Sequence, residues 1–95
     1  MYIDYSTSNG VAFITLNRPE KFNSFIREMS LELQAALKKA NEDASVRAVL
    51  LHGTGKAFCA GQDLSEAIDP SGPGITRIVE EHYNPIIRLM RNLEK

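Results

Sequence analysis

The sequence predicts an α/β fold, and three observations predict it. Residues 2–16 read as an antiparallel hairpin, residues 23–40 as an amphipathic helix, and residues 46–51 as an apolar strand that runs into a glycine-interrupted loop before a further helix. Strand, helix and strand in that order build parallel sheets, whose ligands sit in loops at the carboxyl ends of the strands. Length and composition agree. Ninety-five residues, 43% hydrophobic, with a net charge of −1, allow one domain at most and show no basic surplus for nucleic acid.

Each element has its own justification. Tyr2 to Ser6 alternates weakly, Val11 to Leu16 is a stronger run of β-branched and aromatic residues, and Asn9-Gly10 between them is a preferred two-residue reversal. Arg18-Pro19 ends the second strand, because proline cannot donate to a ladder and holds its predecessor extended. Asn23 or Ser24 is expected to cap the next helix, in which Ile26, Met29, Leu33, Leu37 and Ala40 form one apolar stripe. Asn41 to Ser45 is a link, and Val46, Val49, Leu50 and Leu51 make a strand apolar on both faces, as central parallel strands are.

Leu64 to Ile68 is expected to be a short helix, broken by Asp69-Pro70-Ser71-Gly72-Pro73-Gly74, and a loop at about 66–74 is expected to be mobile. Ile75, Ile78, Val79, His82, Ile86, Leu89, Met90 and Leu93 then keep helical spacing to the end of the chain. Pro85 falls inside that run, removes a hydrogen bond, and predicts a kink near Glu81.

The stretch from Leu50 to Leu64 is where chemistry is expected. Gly53, Gly55 and Gly61 open backbone torsions closed to other residues, and peptide N–H groups between such a loop and a helix start have no intrahelical acceptor. The amides of Gln62 and Asp63 are the donors nearest that turn, suited to an oxygen carrying negative charge. Two familiar glycine motifs do not fit. A phosphate-cradling loop ending at Gly55-Lys56 needs glycine where Leu50 stands, and a dinucleotide fingerprint from Gly53 needs glycine where Phe58 stands.

Lys56-Ala57-Phe58-Cys59-Ala60-Gly61-Gln62-Asp63-Leu64 resembles the oxyanion-loop signature of the enoyl-CoA hydratase/isomerase (crotonase) family. Asn17-Arg18-Pro19-Glu20-Lys21-Phe22-Asn23-Ser24 resembles the same family's Arg-Pro-x-x-x-Asn-(Ala/Ser) turn, and the two motifs stand at the family's usual separation. The resemblance implies the N-terminal part of a crotonase-like ββα spiral: hairpin, helix, parallel strand, oxyanion loop and long kinked helix. By position in the motif, Gln62 matches a backbone oxyanion donor, Ala60 the residue whose backbone contacts the adenine of coenzyme A, and Gly61, Asp63 and Leu64 the same pocket. Lys21 and Phe22 match the turn that approaches the nucleotide end of CoA, with Arg18 and Lys21 as cations within reach of its phosphates. No cofactor is implied beyond the coenzyme A of the substrate.

The physical need for such donors is specific. Removing a proton beside a thioester carbonyl, or adding to its conjugated double bond, places negative charge on the carbonyl oxygen, and each preorganised donor is worth roughly 3 to 4 kcal/mol. Other candidates have duller readings. Asp63 and Glu66 resemble an acid/base pair but suit a first helical turn, Cys59 has no identifiable base and reads as a small buried filler, and His82 reads as a core or groove residue.

The family's second oxyanion donor and its acid/base carboxylate lie beyond Lys95, so residues 1–95 are expected to be the N-terminal part of one crotonase-like domain and inactive alone. Phe58-Cys59-Ala60-Gly61-Gln62-Asp63-Leu64 with Tyr83-Asn84-Pro85 looks most like the branch that isomerises 1,2-epoxyphenylacetyl-CoA. Relatives form trimers and dimers of trimers, which implies a homo-oligomeric parent. The alternative is a non-catalytic acyl-CoA-binding or assembly module. One cysteine, no signal-peptide pattern and no long apolar run lead to the expectation of a cytoplasmic protein without a membrane partner.

Overall fold

Asn9 and Gly10 take φ values of 50° and 81°, the left-handed torsions that a tight two-residue reversal demands, and join β1 (Ile3–Ser8) to β2 (Val11–Leu16). The structure, a computed structural model, describes residues 1–95. Antiparallel pairing runs from Ile3 opposite Leu16 to Ser8 opposite Val11. Alternation along β2 turns Ala12, Ile14 and Leu16 into the core.

β3 (Ala48–Gly53) lies parallel to β2, from Val11 opposite Ala48 to Leu16 opposite Gly53, in the sheet order β1-β2-β3. It starts and ends two residues later than its apolar run predicts, and it is an edge strand rather than a central one. Val46 is buried on the approach to it, while Leu50 remains 47% exposed. Being apolar on both sides reported a strand suited to two covered faces, and within these residues only one face is covered.

α1 (Arg27–Glu42) buries Met29, Leu33, Ala36, Leu37 and Ala40, close to the stripe expected. Its cap differs. The helix begins after Ile26, with no side-chain bond from Asn23 or Ser24, and the Arg27 N–H is accepted instead by Glu66, at 2.8 Å to Oε2 and 3.1 Å to Oε1. A carboxylate from a distant element replaces the local cap because Asn23 is committed elsewhere.

α2 (Leu64–Ile68) is followed by a turn in which Gly72 N–H donates to the Asp69 carbonyl, and then by α3 (Gly74–Arg77). A π-helical segment, Ile78–Tyr83, joins α3 to α4 (Asn84–Arg91). The break expected near Glu81 takes this form: the Asn84 N–H reaches five residues back to the Val79 carbonyl, and Pro85 starts a new α-helical register. The Glu81 carbonyl, which an α-helical Pro85 would leave single, accepts from Gln34 Nε2 at 2.9 Å, and the His82 carbonyl accepts from Ser30 Oγ at 2.9 Å. Ser30, fully buried amid the apolar stripe of α1, is explained by that bond.

No helix is long and apolar enough to cross a membrane.

Candidate functional site

Gly53 closes β3 where a side chain has no room. A Cβ there would lie 2.5 Å from the Phe58 carbonyl oxygen and 2.7 Å from Asn23 Nδ2, so glycine is what lets the loop fold back across the strand end. Asn23, at φ 58° and completely buried, stitches that loop to the preceding turn. Its Oδ1 accepts from the Arg18 N–H at 2.7 Å, and its Nδ2 donates to the carbonyls of Thr54 and Ala57, both at 2.9 Å.

The loop then runs beside Phe25 for a single parallel bridge. The Phe25 N–H donates to the Gly61 carbonyl at 2.7 Å, the Asp63 N–H donates to the Phe25 carbonyl at 2.8 Å, and the Ala60 N–H donates to the Phe22 carbonyl at 3.0 Å. In a trans peptide the N–H points opposite to the C=O of the same plane, so anchoring the Gly61 carbonyl on Phe25 turns the Gln62 N–H the other way. That N–H donates to no acceptor in the protein. Of the two donors expected at this turn, only Gln62 remains available, because the bridge consumes the Asp63 N–H. The five-residue α2 adds little dipole, and the electrostatics of the turn rest on this one oriented peptide.

Gln62 borders an open hollow of ≈ 560 Å³ together with Lys21, Ser24, Ala60, Asp63, Leu64 and Ser65. Lys21 is exposed at its rim. Phe22, 55% exposed at φ 53°, meets the loop through its carbonyl rather than its ring. Gly61 takes φ 106°, a torsion that carries the chain from Ala60 into the bridge.

Arg18 is not a spare cation. Its Nη1 lies 2.9 Å from Asp63 Oδ2 and also donates to the Ser24 carbonyl, with side-chain exposures of 12% for Arg18 and 11% for Asp63. Asp63 also caps α2, Oδ1 accepting from the Ser65 N–H at 2.8 Å. Hydrogen bonding from Arg18, then from Ser65, outweighs burial and holds the Asp63 carboxyl below its ordinary 3.8. A carboxylate lowered in this way stabilises the fold above its unfolded value and stops doing so as pH falls through its folded value. Stability measured by urea unfolding is therefore expected to decline below about pH 4, and Asp63→Asn is expected to shrink that decline. The lowered carboxyls of Asp43, Asp69 and Glu81 account for the remainder.

Asp63 and Glu66 do not act as a facing pair. Glu66 is turned to the Arg27 N–H and to Gln62 Nε2, the latter at 3.1 Å. Cys59 borders an apolar cavity of ≈ 150 Å³ with Phe58, Tyr83 and Met90, and neither histidine attends it. His52 is bonded to Thr15 Oγ1 at 2.8 Å. His82 is buried with Nε2 3.3 Å from Arg27 Nη1 and Nδ1 3.8 Å from Glu66 Oε1. Burial lowers the His82 pKa and keeps the ring neutral at pH 7. No group of three His, Cys, Asp or Glu side chains is placed to hold a metal ion.

Sequence reasoning missed Arg27, Ser30 and Gln34 and gave Tyr83 no contact, since the partners of all four lie far along the chain. The Tyr83 hydroxyl donates to Gln62 Oε1 at 2.6 Å. Arg27 bonds Glu81 at 2.6 Å, and Arg77 donates to Glu81 at 3.0 Å, the two guanidinium groups holding the Glu81 carboxyl down to about 2.

A family model described as enoyl-CoA hydratase/isomerase matches residues 6–95. The chain is 46% identical over 89 residues to the 1,2-epoxyphenylacetyl-CoA isomerase of Escherichia coli K12, an alignment covering 90% of this chain and 34% of that protein. A probable enoyl-CoA hydratase of Rhodobacter capsulatus is 42% identical over 86 residues, covering 90% of this chain and 32% of its own length. The crystal structure of a putative enoyl-CoA hydratase/isomerase from Mycobacterium abscessus superposes with a TM-score of 0.85 at 40% identity, over 96% of this chain and 36% of that one. The chain thus spans about a third of the length of the curated relatives it matches.

Proposed function

This chain belongs to the enoyl-CoA hydratase/isomerase family, and from that premise we propose that it binds an acyl-CoA thioester and stabilises the enolate oxygen through the Gln62 N–H. One observation carries the reading: a peptide donor flanked by the bonded Gly61 carbonyl and the bonded Asp63 N–H stands without a protein acceptor at the border of a hollow. Charge gathering on a thioester oxygen meets there a donor that needs no reorganisation. Lys21 lies at the rim for CoA phosphates, and Ala60, Asp63 and Leu64 form the wall along which the nucleotide runs.

Proton transfer is not assigned to the carboxylates present. Asp63 is committed to Arg18, and Glu66 to the start of α1. The residues here supply thioester binding and half of an oxyanion hole. In the protein that carries them, the substrate we favour is 1,2-epoxyphenylacetyl-CoA, on the strength of the Phe58 to Leu64 motif and the likeness to the E. coli isomerase of that name.

Calorimetric titration with butanoyl-CoA and with free CoA tests the site. Saturable binding of the thioester is expected, weakened several-fold by Lys21→Ala through the lost phosphate attraction. Absence of binding by the protein that carries the chain would defeat the proposal. Faster turnover of crotonyl-CoA than of 1,2-epoxyphenylacetyl-CoA would defeat the narrower substrate assignment.

A further inference from the structure

The proposed chemistry uses only the peptide N–H of Gln62, yet both ends of its side-chain amide are held. Oε1 accepts from the Tyr83 hydroxyl at 2.6 Å, and Nε2 donates to Glu66 Oε1 at 3.1 Å and to the Asp63 carbonyl at 3.1 Å. Each anchor belongs to a different part of the fold. Tyr83 closes the π-helical segment and sets its ring against Phe25, centroids 6.1 Å apart, and Phe25 is the residue whose main chain brackets Gln62. Glu66 is fixed in turn on the first N–H of α1. Burial pushes the Tyr83 phenol up to about 12, so it remains a donor throughout the working range.

The Gly61 carbonyl and Asp63 N–H bonds to Phe25 set which way the Gln62 N–H faces, but both run to the one residue Phe25 and leave an axis about which the intervening peptide can rock. Gly61, without a side chain, does nothing to stop it. A fixed point off that axis is needed, and the Gln62 carboxamide, held by Tyr83 and Glu66, provides it. We propose that Tyr83 is a positioning residue, its hydroxyl holding the Gln62 side chain so that the neighbouring peptide N–H is aimed at the carbonyl oxygen of a bound CoA thioester. This rests on the role given to Gln62 above.

The test is made in the protein that carries this chain, with Tyr83→Phe, Gln62→Met and the double variant. Butanoyl-CoA labelled with ¹³C at its carbonyl is bound to each, and the carbonyl stretch is read by difference infrared spectroscopy. In the unaltered protein the stretch is expected to move to lower frequency. Each single variant is expected to lose about half or more of that shift and roughly 10-fold in kcat, with Kd and KM within about twofold. The double variant is expected to do no worse than Gln62→Met alone, since the one bond that Tyr83→Phe removes is already lost there.

A full shift and unchanged kcat in Tyr83→Phe would overturn the inference while leaving the role of Gln62 intact. Butanoyl-CoA bound without any shift in the unaltered protein would overturn both. A merely structural tyrosine would lower the melting temperature and spare the carbonyl shift. Should Tyr83→Phe fail to fold, Gln62→Met decides: it keeps the tyrosine and removes its acceptor together with the Nε2 bonds to Glu66 and the Asp63 carbonyl, and a full carbonyl shift in it would overturn the inference.

Discussion

Replacing Gln62 by proline is expected to lower kcat/KM for a CoA thioester by about 10² to 10³, the roughly 3 to 4 kcal/mol that one oxyanion donor supplies. The melting temperature is expected to fall no further than that of Gln62→Ala, which loses the same side-chain bonds to Tyr83, Glu66 and the Asp63 carbonyl, for a reason visible in the loop. The N–H removed has no protein acceptor to lose, and the two bonds that hold the loop to Phe25 use the Gly61 carbonyl and the Asp63 N–H. Gly61 has no Cβ for the proline ring to strike. Gln62→Ala is the control, since it keeps the peptide donor and removes only the side-chain anchor. Its loss is expected to be near tenfold, well short of the proline variant. Unaltered turnover by Gln62→Pro would end the case for an oxyanion role at this residue.

The second large effect falls on stability. Asn23→Ala is expected to cost about 3 to 5 kcal/mol. Three half-buried main-chain groups, on Arg18, Thr54 and Ala57, each lose a partner at about 1 kcal/mol, and a non-glycine residue without a polar side chain at φ 58° adds roughly another 1 to 2. Asn23→Gly divides the two contributions: it restores the torsional freedom and should recover about 1 kcal/mol, leaving the hydrogen-bond loss. Urea unfolding of the three proteins measures both. A loss below about 1 kcal/mol for Asn23→Ala would show that the stitch between turn and loop is dispensable.

Much of the fold was legible because it is local. Asn9-Gly10 needs only its own torsions to reverse the chain, and the α1 stripe needs only its own period. The turn around Gln62 was legible through a motif, which brought the residue to notice without showing what oriented it. What the sequence concealed is non-local or ambiguous. Asn23 belongs to the residue types that cap helices and also to those that tolerate left-handed torsions, and nothing nearby chooses between the two uses. Arg18 reads as a solvated cation until Asp63 is found beside it. Glu66 reads as a first-turn carboxylate of its own helix until it is seen capping another. The apolar run of β3 describes what the strand can be covered by, not what covers it here.

The seam between α1 and the last helices carries a further consequence. Two oily helices in contact can slip along each other by a turn at small expense, trading one leucine for the next. Here Ser30 and Gln34 grip the main-chain oxygens of His82 and Glu81, and any axial slip would leave the buried His82 oxygen without a donor, at roughly 1 to 3 kcal/mol, and cost the half-buried Glu81 oxygen its own. Pro85 thereby works as a notch and the two polar side chains as the teeth that seat in it. Tyr83, adjoining the notch, inherits a single setting of height and rotation, which is how a proline remote from the glycine loop comes to place the hydroxyl that bonds the Gln62 side chain.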